Sequence, residues 1–171
     1  MLRSDPNLFS SIPRPEKFYP LAELIPLVKE EKERYRRVAL ANGGFDLLHI
    51  GHIRYLKQAR ETADKLVVAV NSDASLRGLK GENRPIIPAA GRIAILCALT
   101  CVDYVTVFEE ETVDSILLAL KPQIHCKGSD YTVESVPERE TVRAYGGETI
   151  IVGGEKIRST SDVLRHIRDL E

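Results

Sequence analysis

The stretch GGFDLLHIGH, residues 43–52, sets His49 and His52 three positions apart at a predicted helix start. Side chains three apart share one helix face. A helix start also offers unpaired N–H groups and the positive end of the helix dipole. Two imidazole donors in that setting suit the oxygens of a triphosphate. Gly51 removes a side chain that would crowd those oxygens, and Gly43 and Gly44 permit a tight turn and close backbone approach. Two polar residues at a solvated helix start would be the plain alternative. The histidine pair, with glycines before it and a strand before those, favours phosphate binding. A metal site fits less well, because no third ligand stands at a suitable spacing.

Three further segments carry groups of the same kind. In RSTSD, residues 158–162, Ser159 can cap the last helix and Asp162 completes capping-box spacing. Its hydroxyls and free N–H groups are also suited to β- and γ-phosphates. In NSDASLRGLKGENRP, residues 71–85, Lys80 lies between small or flexible residues with Arg77 and Arg84 near it. A basic loop of this kind could clamp phosphates, although a solvated surface loop would look similar. Arg92, in the helix that follows, could reach the same pocket or could be a surface cation. In KGSDY, residues 127–131, Gly128 lets the chain turn and Asp130 could orient a sugar hydroxyl or a metal-bound water. His125 and His166 read as incidental.

These motifs need a scaffold that brings them together. Apolar runs at 38–41, 66–70, 102–108, 124–126 and 149–152 read as strands. Helical spacing occupies 50–63, 88–99, 112–120, 137–145 and 159–170, with 72–87 left as a long loop. Strands alternating with helices imply parallel pairing with right-handed crossovers. The expectation is an α/β, Rossmann-like, doubly wound five-stranded parallel sheet with helices on both faces, in a single domain. Ligands of such sheets bind beyond the carboxyl ends of the strands. The polar motifs fall there: GGFDLLHIGH after the first strand, NSD after the second, KGSDY after the fourth and RSTS after the fifth. Ahead of this domain, 37–171, residues 21–36 read as a helical segment that Pro26 should kink or restart. Residues 1–20 read as a loosely ordered, proline-rich tail.

Composition narrows the function classes. With 24 basic and 25 acidic residues, no broad basic field exists, which argues against nucleic-acid partners. No apolar run is long enough to span a bilayer, and the N-terminus lacks a signal-peptide core, so the cytoplasm is the expected compartment. Three cysteines without C-x-x-C spacing make a disulfide framework or a cysteine-held metal improbable. Cys97 and Cys101 read as small core residues, and Cys126 likewise.

Together the motifs resemble the cytidylyltransferase-like nucleotidyltransferases, whose signature is the H-x-G-H loop. Within that group the sequence is most similar to bacterial heptose-phosphate adenylyltransferases. NGGFDLLHIGHIRYL, VVAVNSDASLRGLKG, NRPIIP, VDYVTVFEE, KGSDYT, AYGGE and RSTS carry the likeness, which runs from about 38 to 167. It implies transfer of AMP from ATP to a sugar 1-phosphate, giving ADP-heptose for lipopolysaccharide core synthesis and pyrophosphate, with Mg²⁺ accompanying the triphosphate. No sugar-kinase half is present in the sequence, so a stand-alone form is expected, and relatives of this kind commonly form homodimers. The resemblance implies catalytic roles for His49, His52 and Lys80. It implies nucleotide contacts at Gly43, Gly44, Phe45, Asp46, Gly51, Arg92, Lys127, Gly128, Asp130, Arg158, Ser159, Thr160 and Ser161. Contacts to the second substrate fall on Asn71, Asp73 and Arg84. Two departures stand out. Gly44 occupies a position where a cysteine, valine or threonine is common, a change expected to be harmless. The last motif lacks the form found in glycerol-phosphate cytidylyltransferases, which weakens that rival and leaves the adenylyl reading ahead; a non-catalytic nucleotide-binding module is the remote alternative.

Overall fold

The computed structural model describes residues 8–154. The expected last helix, the RSTS motif with Arg158, Ser159, Thr160 and Ser161, His166 and the first seven residues lie outside the described residues.

Five strands form one parallel sheet in the order β3-β2-β1-β4-β5. They are β1 (Val38–Gly43), β2 (Lys65–Asn71), β3 (Tyr104–Phe108), β4 (Ile124–Gly128) and β5 (Glu148–Val152). The chain winds outward from β1 through β2 to β3, then crosses back to lay β4 on the other side of β1. The strand order therefore reverses between β1 and β4, which is where a crevice opens in sheets of this type. Asn42 and Lys127 lie one step beyond Ala41 and Cys126, the last residues paired between these two strands.

Alternate residues of the apolar strands feed two cores. Ala39, Ala41, Val68 and Val70 pack on one face with Leu56 and Ala59 of α2 (Ile50–Glu61) and Ile93 and Leu96 of α4 (Ala89–Cys97). Val38, Leu40, Val67 and Ala69 pack on the other, against Leu24 and Val28 of α1 (Leu21–Glu33) and Ile116 and Leu117 of α5 (Asp114–Leu120). Val142 of the short α6 (Arg139–Ala144) joins the second core. Strands buried on both faces read as near-continuous apolar runs, as these do.

Three local expectations change. Pro26 neither kinks nor restarts α1, which runs through it as one helix. Only the N–H that would have bonded residue 22 is missing, and buried Leu24 and Val28 anchor the helix on either side. The long loop at 72–87 is instead half helical: α3 (Asp73–Lys80) is capped by Ser72, whose hydroxyl accepts the Ser75 N–H at 3.1 Å. Gly78 is tolerated on an open face, and only Gly81, at φ 96°, ends the helix. The segment before α1 is packed, with Phe18 3% exposed and bridged in parallel to Val105 at the sheet edge. Among the described residues no helix is long and apolar enough to cross a membrane.

Candidate active site

A cavity of about 890 Å³ opens at the carboxyl edge of the sheet, over the β1–β4 reversal. Its wall includes Gly43, Gly44, Phe45, Asp46, His49, Gly51, His52, Asn71, Lys80, Arg84, Lys127, Gly128 and Asp130. Thus thirteen residues singled out from the sequence meet in one place. Arg92 and Asp73 do not line it.

The glycine-rich turn is shaped by backbone strain. Phe45 and Leu47 both adopt positive φ, 50° and 52°, a region that non-glycine residues enter at some cost. The Phe45 side chain offsets that cost: it is 4% exposed and stacks on Tyr55, ring centroids 6.4 Å apart. Asp46 is 2% exposed and is bound from three sides, by Arg84 Nη1 at 2.7 Å and by the Ile86 and Ile87 N–H groups, each at 3.0 Å. Arg92 is 1% exposed and spends its donors on protein: Ile87 O at 2.9 Å, Gly44 O at 2.6 Å, Asn71 O at 2.9 Å and Asp73 Oδ1 at 2.7 Å. Asp73 Oδ1 also accepts the Ala89 N–H at 2.8 Å. Arg92 and Asp73 therefore brace the turn from behind, fixing Gly44 against the ends of β2 and α4. The missing side chain at Gly44 has a local reason, since a Cβ there would lie 2.7 Å from Leu76 Cδ1 of α3.

The two imidazoles are oriented by the backbone. His49 caps α2, and its Nδ1 accepts the Gly51 N–H at 3.1 Å. His52 Nδ1 accepts the His49 N–H at 3.3 Å. A backbone N–H can only donate, so each neutral ring carries its proton on Nε2. The ring centroids are 4.0 Å apart. Burial, with help from the positive charge near His49 and Lys80, pushes the His52 pKa down to about 4, against a smaller opposing pull from Asp46. His52 is therefore a neutral hydrogen-bond donor at neutral pH. Lys80 closes this side from the last turn of α3. Burial and then Arg84 hold its pKa below the usual lysine value, and Asp46 partly counters them.

Across the sheet edge the wall is different. Lys127 is 7% exposed and pairs with Glu138, 2% exposed, at 3.1 Å. The Lys127 ammonium lies 5.0 Å from the Tyr131 ring centroid. Asn42 Oδ1 accepts from His125 Nε2 at 3.0 Å and faces Lys127 Nζ at 3.4 Å. Asn42, Glu138, Tyr131, Tyr55 and Thr112 line the cavity but were not singled out from sequence. A polar residue ending the apolar run VALAN was the one available signal for Asn42. Nothing in the sequence distinguishes Glu138 from a surface carboxylate. His125, read as incidental, is fully buried. Past β5, Gly153 and Gly154 also reach this wall, with the Gly153 N–H bonded to Gln58 Oε1 at 2.6 Å.

A family model described as cytidylyltransferase-like matches residues 40–169. The chain belongs to that family. It is 48% identical over 144 residues to a bifunctional protein HldE of Pelobacter propionicus, covering 84% of this chain and 30% of that protein. It is 47% identical to another HldE from Geotalea uraniireducens, covering 86% of this chain and again 30% of that protein. The chain thus spans about a third of the length of these curated relatives. A lipopolysaccharide core biosynthesis protein from Thermoplasma volcanium superposes with a TM-score of 0.59 at 29% identity, covering 68% of this chain and 93% of that one. The expected fold and the nucleotidyltransferase assignment both stand on this family membership and on the observed sheet.

Proposed function

We propose that this protein is an adenylyltransferase that joins AMP from ATP to a sugar 1-phosphate, a heptose 1-phosphate by its likeness to the bifunctional relatives, and releases pyrophosphate. The observation that carries the reading is the pair of imidazoles oriented by the backbone at the start of α2. Each has its Nδ1 turned to a backbone N–H, which aims its Nε2 edge away from the backbone, and both rings share one cavity wall with Lys80 and Arg84. Donors fixed before substrate arrives stabilise developing charge without reorganising, and this is the main term in such catalysis.

The chemistry asks little else of the protein. A phosphate oxygen of the sugar phosphate attacks the α-phosphorus, the bond to the bridging oxygen breaks, and that electron pair leaves with pyrophosphate. The nucleophile is already anionic, so positioning and charge stabilisation suffice and no protein nucleophile is needed. His49 and His52 would meet the α-phosphate and the leaving pyrophosphate, and Lys80 the charge between the two substrates. The RSTS hydroxyls and Arg158 are proposed to hold the outer phosphates. Arg92 and Asp73 act from behind the wall rather than on the ligand. Mg²⁺ would enter with the triphosphate, Asp130 being the carboxylate at the cavity that would help hold it, and it would supply charge neutralisation. The cytoplasm, where ATP is abundant, is the proposed compartment.

The test is pyrophosphate release with four nucleoside triphosphates crossed against heptose, hexose and glycerol phosphates. The reading expects release with ATP and a sugar 1-phosphate. Release only with CTP and glycerol phosphate would replace it, and nucleotide binding without release under any combination would remove the enzymatic assignment.

A further inference from the structure

Among the described residues the cavity has two chemically distinct sides, and the groups suited to anions gather on one of them. On the α2 and α3 side stand two imidazole donors, Lys80 and Arg84. On the α5 and α6 side the only cation among the described residues is Lys127, and it is matched by a carboxylate within 3.1 Å, with both side chains nearly excluded from water. A charge neutralised in this way has little attraction left for phosphate. What this side does offer is directed, uncharged hydrogen bonding.

Asn42 is the clearest case. The Lys127 ammonium has only donors, so the Asn42 atom facing it must be the amide oxygen. His125 Nε2 lies 3.0 Å from the same oxygen and must therefore donate as well. That leaves the His125 Nδ1 lone pair buried with no partner among the described residues. With Oδ1 held by two donors, the amide is fixed and its Nδ2–H₂ group turns the other way. Asn42 lines the cavity, and Nδ2 donates to no protein atom among the described residues.

We infer that Asn42, fixed by His125 and Lys127 and backed by the Lys127–Glu138 pair, is the specificity-determining donor of a hydroxyl-recognition subsite that takes the polyol part of a substrate. The inference rests on the reading of the cavity as a nucleotidyl-transfer site, and names what occupies its second side. Two sources share this chemistry: the ribose of the nucleotide and the sugar of the phosphorylated acceptor. A subsite built to hydrogen-bond a hydroxyl rejects the analogue lacking it, because its own polar group is then left unpaired.

The experiment measures dissociation constants by calorimetry on the full chain, wild type, Asn42→Ala and Glu138→Gln. The ligands are ATP, 2′-deoxy-ATP and 3′-deoxy-ATP in one arm, and a hexose or heptose 1-phosphate with its deoxy analogues in the other. Pyrophosphate, which has no sugar hydroxyl, is the control ligand. In the wild type at least one hydroxylated ligand should bind roughly tenfold or more tighter than its deoxy partner, about the net worth of one hydrogen bond. That ratio should collapse towards one in Asn42→Ala, with pyrophosphate binding unchanged, and shrink in Glu138→Gln. Loss of the ratio for ATP assigns the subsite to ribose, and loss for the sugar phosphate assigns it to the acceptor. Glu138→Gln keeps the side-chain volume, so it answers the question should Asn42→Ala fail to fold. Identical ratios in wild type and both variants, or no preference for any hydroxyl in the wild type, would overturn the inference. Failure of pyrophosphate release in the wild type strikes the proposed reaction instead, and leaves these binding ratios to be read on their own.

Discussion

The two sides of the cavity are made rigid by different means. On the histidine side the backbone does the fixing: N–H groups hold both Nδ1 atoms, and the turn itself runs through positive φ at Phe45 and Leu47. On the α5 and α6 side, side chains hold side chains: Glu138 holds Lys127, and Lys127 with His125 holds Asn42. The first device needs particular residue types at particular spacings, glycine for the turn and histidine at the cap. The second needs only burial, and ordinary polar residues serve. A backbone-built site can therefore be read in a sequence, whereas one built from buried side chains cannot.

The comparison is broken most forcefully at Arg92. If this arginine braces the histidine side from behind, Arg92→Met leaves the Gly44 and Asn71 carbonyls without their guanidinium donor, while the partly exposed Asp73 keeps the Ala89 N–H. Each buried carbonyl left unpaired costs about 1–3 kcal/mol. Urea unfolding should show that loss. A variant as stable as the wild type that has lost triphosphate binding would instead make Arg92 a ligand contact.

Next comes the chemistry. His49→Ala or His52→Ala should lower kcat about 10²–10³-fold, the usual cost of one preorganised donor, with unfolding midpoints little changed. The difference between the sides predicts that Asn42→Ala acts mainly on KM instead. A change below threefold in kcat would remove that histidine from the mechanism. A smaller effect is expected at Gly44→Ala, whose Cβ would sit 2.7 Å from Leu76 Cδ1. Overpacking of this kind costs roughly 1–3 kcal/mol. Pairing it with Leu76→Ala should recover part of the loss in a double-mutant cycle, and an additive result would deny the contact.

The same contrast explains what was legible. The alternation of strands and helices, and the placement of motifs after strands, were sufficient for the sheet and for the position of the cavity. Gly43, Gly44, His49, Gly51, His52 and Lys80 were readable because their types answer to turn, cap and charge. The helix α3 was missed because Gly78 and Gly81 look like loop residues, and only the backbone tells that one is tolerated within the helix and the other, at φ 96°, ends it. Arg92 and Asp73 were read as ligand contacts because a sequence gives charge but not direction. Asn42, His125 and Glu138 were passed over since their importance comes from being enclosed together, which no spacing records.

The mildest effect separates the two sides through their histidines. Burial first, and neighbouring positive charge second, depress the pKa of His52 to about 4 and of His125 to about 3, below the ordinary value near 6.5. Between those values and 6.5 the unfolded chain binds protons that the folded chain refuses. Unfolding then takes up protons, so stability is full above pH 7 and falls as pH drops below about 6.5. At pH 5.5 each histidine should contribute about 1 kcal/mol of loss relative to pH 7.5, measurable as a shift in urea midpoint. The sides diverge once ligand is present. A triphosphate beside His52 adds negative charge that favours the imidazolium, so its pKa should rise on binding, whereas the polar neighbours of His125 among the described residues are Asn42, Lys127 and Asp114, and its pKa should stay where it is. Histidine ring signals followed by NMR through pH, with and without tripolyphosphate, read both at once. Equal movement of the two, or none in either, would mean that the anion does not choose the side with the imidazole pair.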